Sequence, residues 1–422
     1  MAAKQTRKRK TSSEPVNDPV AVAIDLINKK NKDRVLIARG RDFENTFRRR
    51  RPTGVFGLDF ALNGGYGCGT LVQIYGADSV GKDDLVYRGW AKNQEIWGPK
   101  SALCMVAIEM MMDKGQARNL GVQVSLSEPE LRLIEESWGR PLTDKERSDL
   151  TTEIGTVCQL VGEDTESALQ GALDAISSNA FQYVVVDSVG GMASKGSLEE
   201  EVVGGKESRA SGRDVARLLT EFCAKVASLF NRGVLTVVVV LNQVREEQNF
   251  ARPLRPGMPR PVRTTGGRAL RHTKAVDIEL SKFKWKLEDG ESPFTSGQAA
   301  PNPSYVHWGP GVEWRLIKAK AGAHEGPRGR LIRYVRDHGA WRAWEINETL
   351  ELRLRAAQVG LIEERARGHR LPPLLGMEKG VVCAKASDIA AYLERHREYR
   401  RALEELVIGE VLRSSGHIIA RP

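Results

Sequence analysis

A glycine-rich segment between a predicted strand and a predicted helix carries the clearest chemistry in this sequence. It consists of Gly76, Ala77, Asp78, Ser79, Val80, Gly81, Lys82, Asp83 and Asp84. Up to Lys82 it matches the G-x-x-x-x-G-K pattern of a phosphate-binding loop, in which backbone N–H groups and the lysine contact phosphate oxygens. The N-terminus of the following helix also favours an anion. The segment therefore predicts nucleotide binding, with Lys82 acting in catalysis as well.

Asp83 departs from that pattern, which has at this position a serine or threonine whose hydroxyl ligates Mg²⁺. A carboxylate is a good ligand for Mg²⁺, but together with Asp84 it also places negative charge where phosphate would bind. Two hypotheses follow from the residues. Asp83 binds Mg²⁺ directly and the loop keeps its nucleotide, or the segment is a strand-to-helix turn that no longer binds phosphate.

Polar residues end three further predicted strands, which are otherwise almost continuously apolar. Glu109 ends the run 102–109, Asp187 ends 183–187 and Gln243 ends 234–243. In a parallel sheet such residues meet at one edge beside the loop, where ligands bind. Asp187 is then placed to orient Mg²⁺, Glu109 to activate an attacking water and Gln243 to sense the γ-phosphate. The alternative for each residue is an ordinary strand end without a catalytic role.

The elements around these residues predict an α/β protein with three layers and a mostly parallel sheet, because strand-like and helical runs alternate. We assign residues 1–17 to a disordered basic tail and 18–47 to an N-terminal oligomerisation helix and linker. Residues 48–335 form the core, with a helical insertion at 125–153, and 336–422 form a small helix-rich C-terminal domain. The first helix has Asp18 as its N-cap and packs either on its own core or on a neighbouring subunit.

Amino-acid composition further limits the type of protein that this sequence can encode. The chain has 422 residues, 41% hydrophobic, with a formal net charge of +10, so it can bury a core and suits a polyanionic partner. It lacks an apolar run long enough to span a membrane, and its five cysteines have no spacing typical of zinc sites or disulfide frameworks. We therefore expect a cytoplasmic protein with reduced thiols.

Two basic segments are candidates for DNA binding. The first, from 245 to 268, contains four prolines that disfavour helix and central strand, and it carries arginines spaced to contact phosphates and one aromatic that could stack on bases. Its candidate residues are Arg245, Phe250, Arg252, Arg255, Arg260, Arg263 and Arg268. The second segment, 194–209, contributes Lys195, Lys206 and Arg209. The alternative is a solvated basic loop, which is also our interpretation of the run Arg48 to Arg51.

Taken together, these motifs resemble the RecA-type strand-exchange recombinases of bacteria and phages. The similarity extends from about residue 18 to 415 and rests on the phosphate loop and on the segments 53–65, 117–122, 185–189, 241–245, 264–270 and 316–320. The resemblance implies that Glu109 activates water, that Gln243 couples the γ-phosphate to the DNA loop and that Asp187 is the acidic residue near Mg²⁺. It also implies that Lys318 and Lys320 reach the phosphates of a neighbouring subunit and that the helix from Asp18 mediates polymerisation.

The function implied is that of a DNA-dependent ATPase using ATP and Mg²⁺. It would form a helical filament on single-stranded DNA and pair it with homologous double-stranded DNA in recombination and repair. An alternative is a non-hydrolysing RecA-like paralogue that binds DNA or regulates filaments, and a third, less favoured, is a translocating motor ATPase. Asp83, the insertion at 125–153, and Gln116 in place of an adenine-stacking aromatic indicate a divergent, phage-encoded member.

Overall fold

The computed structural model describes most of the chain. It covers residues 18–31, 48–109, 111–192, 208–246, 262–264, 267–283, 305–308, 311–320, 326–337, 342–347, 349–365 and 368–421. The predicted basic tail, 1–17, and most of the linker after the first helix lie outside these ranges. Among the described residues, none of the helices is long and apolar enough to cross a membrane.

Helices and strands alternate through the first two thirds of the chain. The helices are α1 Pro19–Asn31, α2 Phe56–Ala61, α3 Lys82–Trp97, α4 Lys114–Asn119, α5 Glu128–Trp138, α6 Asp144–Thr151, α7 Thr165–Ser177, α8 Ser208–Asn231, α9 Gly267–Thr273, α10 Thr349–Gln358, α11 Ala386–Arg395 and α12 Arg397–Ser415. The strands are β1 Arg49–Arg51, β2 Tyr66–Gly67, β3 Thr70–Gly76, β4 Ala102–Ala107, β5 Thr156–Val161, β6 Tyr183–Asp187, β7 Val237–Glu246, β8 Val262–Thr264, β9 Val276–Phe283, β10 Tyr305–Trp308, β11 Gly311–Ala319, β12 Arg328–Asp337, β13 Arg342–Asn347, β14 Glu363–Arg365, β15 Gly368–Arg370, β16 Val382–Cys383 and β17 Ile418–Ile419.

One large sheet organises the molecule, and within the described ranges it contains eleven strands. Its parallel part has the order β9-β3-β7-β6-β4-β5, and β11, β12 and β10 extend it antiparallel beyond β9. Apolar side chains pack on both faces, with Trp90 of α3 in one core cluster and Leu169 of α7 and Phe222 of α8 in the other. The predicted three-layer α/β architecture with a mostly parallel sheet is confirmed.

The first helix belongs to a compact unit of its own, Met1–Asn45, and the remainder of the chain, Thr46–Pro422, forms a second unit. The α1 helix begins as its sequence indicates. The Asp18 carboxylate accepts a hydrogen bond from the Val20 N–H at 3.0 Å, and Pro19 occupies the first helical position, where no donor is needed.

The segment predicted as a helical insertion forms α5 and α6, each with a capping box. Glu130 accepts a hydrogen bond from the Ser127 N–H at 2.6 Å, and Glu146 accepts one from the Thr143 N–H at 2.9 Å. These reciprocal bonds satisfy donors that a helix start otherwise leaves free. A salt bridge of 3.0 Å between Lys114 and Glu130 ties α5 to α4.

Strands continue beyond Val335, into the region where we expected a helix-rich domain. β12 runs to Asp337, β13 pairs with it antiparallel, and β14, β15 and β16 form a small sheet of their own. The signal was present in 342–347, where Glu345 separates Trp344 from Ile346 at the two-residue period of a strand. The helix α11 begins at Ala386, with Lys385 as its N-cap.

The run Arg48 to Arg51 is not the solvated basic segment that we expected from the sequence. Arg50 and Arg51 lie in β1 and are 2% and 4% exposed. The Arg50 guanidinium is 2.6 Å from Nε2 of His417, and Arg51 lies 4.8 Å from the centre of the Trp97 ring. Burial lowers the pKa of Arg50 to about 10. These two arginines therefore serve the packing of β1 rather than an exposed surface.

Candidate active site

The phosphate-binding loop connects β3 to α3. Ser79 and Gly81 adopt left-handed backbone conformations, with φ of 53° and 94°. Glycine accommodates such a conformation without strain, as at Gly81. A side chain at Gly76 would place its Cβ 2.5 Å from the Leu280 carbonyl oxygen, so β3 can end beside β9 only with glycine there. The sequence thus provides the turn that a phosphate cradle requires.

The start of α3 presents its first N–H groups without a capping side chain, because Gly81 is the N-cap. Such a helix start carries partial positive charge and binds anions. The Lys82 side chain lies back over the loop and donates from Nζ to the Ala77 carbonyl oxygen at 3.1 Å. An ammonium has three donors, so this bond leaves others available for phosphate oxygens.

Two carboxylates lie at this helix start and perturb each other. The pKa of Asp187 is raised to about 7, mainly by burial and in addition by the negative charges of Asp83 and Glu109, while Lys82 opposes the shift. Burial likewise raises the pKa of Asp83, with Lys82 opposing and Asp84, Glu109 and Asp113 adding to the rise. The site therefore concentrates negative charge that a bound cation would neutralise.

The sheet register explains why residues far apart in sequence meet here. Gly76 at the end of β3 is paired with Gln243 of β7, and Ala107 of β4 is paired with Asp187 of β6. The N–H groups of Ile108 and Glu109 then donate to the Asp187 carbonyl oxygen at 2.7 and 3.1 Å. Because these strands run parallel and adjacent, their carboxyl ends form one side of the site.

Glu109 and Gln243 are in contact across the sheet edge. Nε2 of Gln243 donates to Oε1 of Glu109 at 3.3 Å. Beneath the pair lies a short 3-10 turn, Val189–Gly191, that follows β6. A Cβ on Gly191 would lie 2.1 Å from Cγ of Glu109, and one on Gly190 would lie 3.0 Å from Oε1 of Gln243. Sequence reasoning missed these glycines, although their position directly after the Asp187 strand was a signal.

Asp84 is not at the phosphate end where the sequence placed it. It is 3% exposed and its Oδ1 accepts a hydrogen bond of 2.5 Å from Nε2 of Gln116. Gln116 in turn lies in α4, whose N-cap Asp113 accepts a hydrogen bond from the Gln116 N–H at 2.9 Å. Asp84, the third residue of α3, faces α4 because consecutive helical residues such as Asp83 and Asp84 point in directions about 100° apart. Asp83 alone therefore stands at the loop.

Lys318 and Lys320 lie away from the phosphate loop of their own chain. In β11 and directly after it, they donate from Nζ to the carbonyl oxygens of Arg271 and His272, at 2.7 and 3.2 Å. Both acceptors belong to the last turn of α9. No local sequence pattern predicts this contact, since the bonded residues are 47 and 48 positions apart in the chain.

The candidate DNA-binding residues fall into two groups. Arg245 lies in β7, Arg263 in β8, Arg268 in α9 and Arg209 in α8. Lys195, Lys206, Phe250, Arg252, Arg255 and Arg260 lie outside the described residues. The expectation that 245–268 forms neither strand nor helix is wrong at both ends, because the prolines lie between 253 and 261 and leave the flanking residues free to pair.

Gln243 is accordingly not the end of its strand. β7 begins at Val237, three residues later than predicted, and continues to Glu246, where it pairs antiparallel with β8. In this ribbon Arg245 is directly opposite Arg263.

The donor set fits Mg²⁺ held jointly with phosphate. In the described part of the chain, no group of three or more His, Cys, Asp or Glu side chains could hold a metal ion by itself. Mg²⁺, however, is usually bound by one or two carboxylates together with substrate phosphates and water. Asp83 and Asp187 supply such a pair, and the pKa of each is raised by burial and by the negative charge of neighbouring carboxylates.

The fold and this site define an α/β protein in which a glycine-rich loop of the phosphate-binding type joins a central strand to a helix. A family model described as the RecA N-terminal domain matches residues 148–296. The protein RecA of Solidesulfovibrio magneticus is 28% identical over 246 residues, and that of Porphyromonas gingivalis is 27% identical over 242. The chain is thus similar to RecA proteins at the level of a divergent relative.

These relatives are matched only in part. The alignments cover 58% and 57% of this chain and 57% of the length of each relative. The crystal structure of a RadB recombinase is also similar, with a TM-score of 0.38, 16% sequence identity, and coverage of 67% of this chain and 95% of that one.

Proposed function

We propose that this protein is a DNA-dependent ATPase that forms a filament on single-stranded DNA and promotes homologous pairing and strand exchange. One arrangement carries the proposal. The Glu109–Gln243 pair lies beside the phosphate loop, and the strand that holds Gln243 continues directly into the arginine-bearing ribbon of β7 and β8. A group placed to respond to nucleotide is thus part of the element that would contact DNA.

At the nucleotide, each side chain has a distinct task. The loop 76–81, the start of α3 and Lys82 bind the phosphates, and Asp83 and Asp187 would hold Mg²⁺. When bound, this ion neutralises charge that develops on the phosphates during transfer. Glu109 accepts a proton from the attacking water, and Gln243 shares the Glu109 carboxylate and so responds to the γ-phosphate.

For DNA, the ribbon and the segment it encloses supply the contacts. Arg245 and Arg263 occupy directly opposed positions of the ribbon, and we assign both to contacts with the phosphate backbone. The net charge of +10 supports a polyanionic partner in general. We assign the residues at 195, 206 and 209 and the arginines between 252 and 260 to the same DNA contact.

Self-association is part of the proposal. Val20, Val22 and Leu26 of α1 are 56%, 61% and 66% exposed, an apolar surface that suits a second copy of the chain. Lys318 and Lys320 would then reach the phosphates of that neighbour. We assign 18–47 to this contact, 48–335 to the ATPase core and 336–422 to a C-terminal domain.

Sedimentation with single-stranded DNA and a slowly hydrolysed ATP analogue tests the assembly. The proposal predicts large nucleotide-dependent complexes with DNA and, with ATP and a homologous duplex, joined molecules. The alternative is an accessory protein that does not hydrolyse ATP. For such an accessory protein we expect equal DNA affinity with and without nucleotide, and no joined molecules.

A further inference from the structure

The C-terminus of α9 is held in an unusual way. This helix of residues 267–273 follows directly after the predicted DNA-binding segment, so its position fixes where that segment returns to the core. The last carbonyl groups of a helix have no partners within the helix and need donors from elsewhere. Three lysines surround this end of α9 and contribute those donors or secure the chain beside them.

Two of these carbonyl groups are capped by lysine side chains from β11 and from the residue directly after it. The Leu270 carbonyl oxygen accepts from the Lys274 N–H at 3.1 Å, and those of Arg271 and His272 accept from Nζ of Lys318 and Lys320. Cations at a helix C-terminus also interact favourably with the helix dipole. Side chains from β11 thus complete the cap that α9 cannot supply.

The backbone that carries the two capping lysines is hydrogen-bonded to the chain that follows α9. Lys318 is paired with Asp277 of β9, and the Lys320 N–H donates to the Ala275 carbonyl oxygen at 2.8 Å. Both lysine backbones are therefore registered against the residues that follow α9. Their side chains reach back to the helix from a fixed strand.

The residue after α9 is anchored to the strand of the phosphate loop. Nζ of the buried Lys274 lies 2.5 Å from Oδ2 of Asp277 and 2.8 Å from Oε1 of Gln73 in β3. Burial raises the pKa of Asp277 and lowers that of Lys274, and their contact opposes both shifts. The end of α9 is consequently tied to the strand that leads to Gly76.

We propose that Lys318 and Lys320 are positioning residues for DNA binding, which hold residues 267 and 268, the C-terminal end of the candidate DNA-binding segment, in place by capping α9 within their own subunit. This role needs no nucleotide and is additional to any contact with a neighbour's phosphates. It rests on the proposed function in one respect, namely that the segment ending at α9 binds single-stranded DNA.

Amide hydrogen exchange of the full-length chain, without nucleotide or DNA, tests the cap directly. In the double variant Lys318→Met and Lys320→Met, amides of 267–275 should exchange about fivefold faster, the effect of two dipole-assisted caps. The Lys318→Arg and Lys320→Arg variant should exchange like wild type, because arginine keeps the charge and donors. Unchanged exchange in the Met variant, or faster exchange throughout the sheet, would overturn the capping role.

The salt dependence of single-stranded DNA binding, again without nucleotide, tests the positioning. The Met variant should bind several-fold more weakly with an unchanged slope of log affinity against log salt, and the Arg variant should bind like wild type. The double variant Lys100→Met and Lys145→Met, which loses the same charge elsewhere, is the control. A slope reduced by ~0.7 for each lysine would mean that the lysines touch DNA phosphates themselves and would overturn the proposal.

The two proposals can fail separately. If the Met variant binds single-stranded DNA as tightly as the wild type, the positioning role is excluded and the proposed function is unaffected. A wild-type chain that binds no single-stranded DNA under any condition removes the proposed function and the positioning role together, while the exchange result still decides whether the lysines cap α9.

Discussion

At the scale of single residues, the site is defined by a cluster of carboxylates whose negative charge a single nearby lysine only partly neutralises. Asp187 and Asp83 are both half-buried near Glu109, with Lys82 as the cation that lowers the pKa of each. Such a cluster destabilises a folded protein when all its members are ionised. Groups arranged at a cost to stability are typical of sites that bind a ligand, which here would be Mg²⁺ with phosphates.

Asp187 should therefore make stability depend on pH. Its pKa of about 7 lies above the ordinary value of 3.8, so between those limits the folded chain keeps a proton that the unfolded chain has lost. The contribution of Asp187 to the free energy of unfolding thus falls as pH rises through this window. We expect Asp187→Asn to raise that free energy by roughly 2 kcal/mol at pH 8 and to leave it unchanged at pH 4.

Urea denaturation at the two pH values measures this difference, with Asp174→Asn on the exposed side of α7 as a control. Mg²⁺ with nucleotide should stabilise the wild type more than Asp187→Asn at pH 8. An equal effect of the substitution at both pH values would show that the Asp187 carboxylate is not held under strain.

Asp83 should behave as a metal ligand. Replacing it with alanine removes an oxygen donor and should weaken Mg²⁺-dependent ATP binding about tenfold, whereas Asp83→Thr supplies the hydroxyl of the usual motif and should preserve or improve the affinity. Titration calorimetry with and without Mg²⁺ measures both. If Asp83 only repels phosphate, both substitutions will raise the affinity from near zero instead.

At the scale of elements, the glycine turn after β6 controls how Glu109 meets Gln243. A methyl group on Gly191 would occupy the space of Cγ of Glu109, so Gly191→Ala should displace that carboxylate and break its bond to Gln243. We expect about a tenfold loss of DNA-stimulated hydrolysis, with nucleotide affinity unchanged. Gly409→Ala in α12, where no atom lies within 4 Å of the added Cβ, is the matched control. Equal activities of the two variants would contradict this assignment.

The segment enclosed by β8 and β7 should carry the salt-dependent part of DNA binding. Neutralising Arg252, Arg255 and Arg260 removes up to three phosphate contacts, each worth ~0.7 in the slope of log affinity against log salt for a single strand. Fluorescence anisotropy over a salt series provides the slope. A slope equal to that of the wild type would exclude these arginines from the binding surface.

The elements also show which features the sequence could predict. The strands ending at Gly76, Asp187 and Ala107 were evident because buried parallel strands are continuous apolar runs, and the phosphate loop was evident from glycine spacing. The β7–β8 ribbon was missed because prolines nearby suggested irregular structure throughout. Contacts such as Lys318 to α9 and Gln116 to Asp84 depend on tertiary packing, which no local pattern encodes.

At the scale of the whole molecule, the sheet brings two chemistries together along one strand. β7 lies next to β3 at the nucleotide and leaves the core as the ribbon that carries Arg245. α9 then returns the chain to β9 on the other side of β3. The nucleotide site is thus flanked by both ends of the predicted DNA-binding segment, a topology through which occupancy of one site can bias the other.

The measurement that tests this coupling most directly is ATP hydrolysis by the full-length chain with and without single-stranded DNA, with Lys82→Ala as the control. We predict turnover that DNA increases at least tenfold and that the Lys82→Ala variant lacks, since the lysine contacts the transferred phosphate. Absence of turnover in the wild type, with DNA still bound, would contradict the proposed enzyme and favour a non-hydrolysing accessory protein.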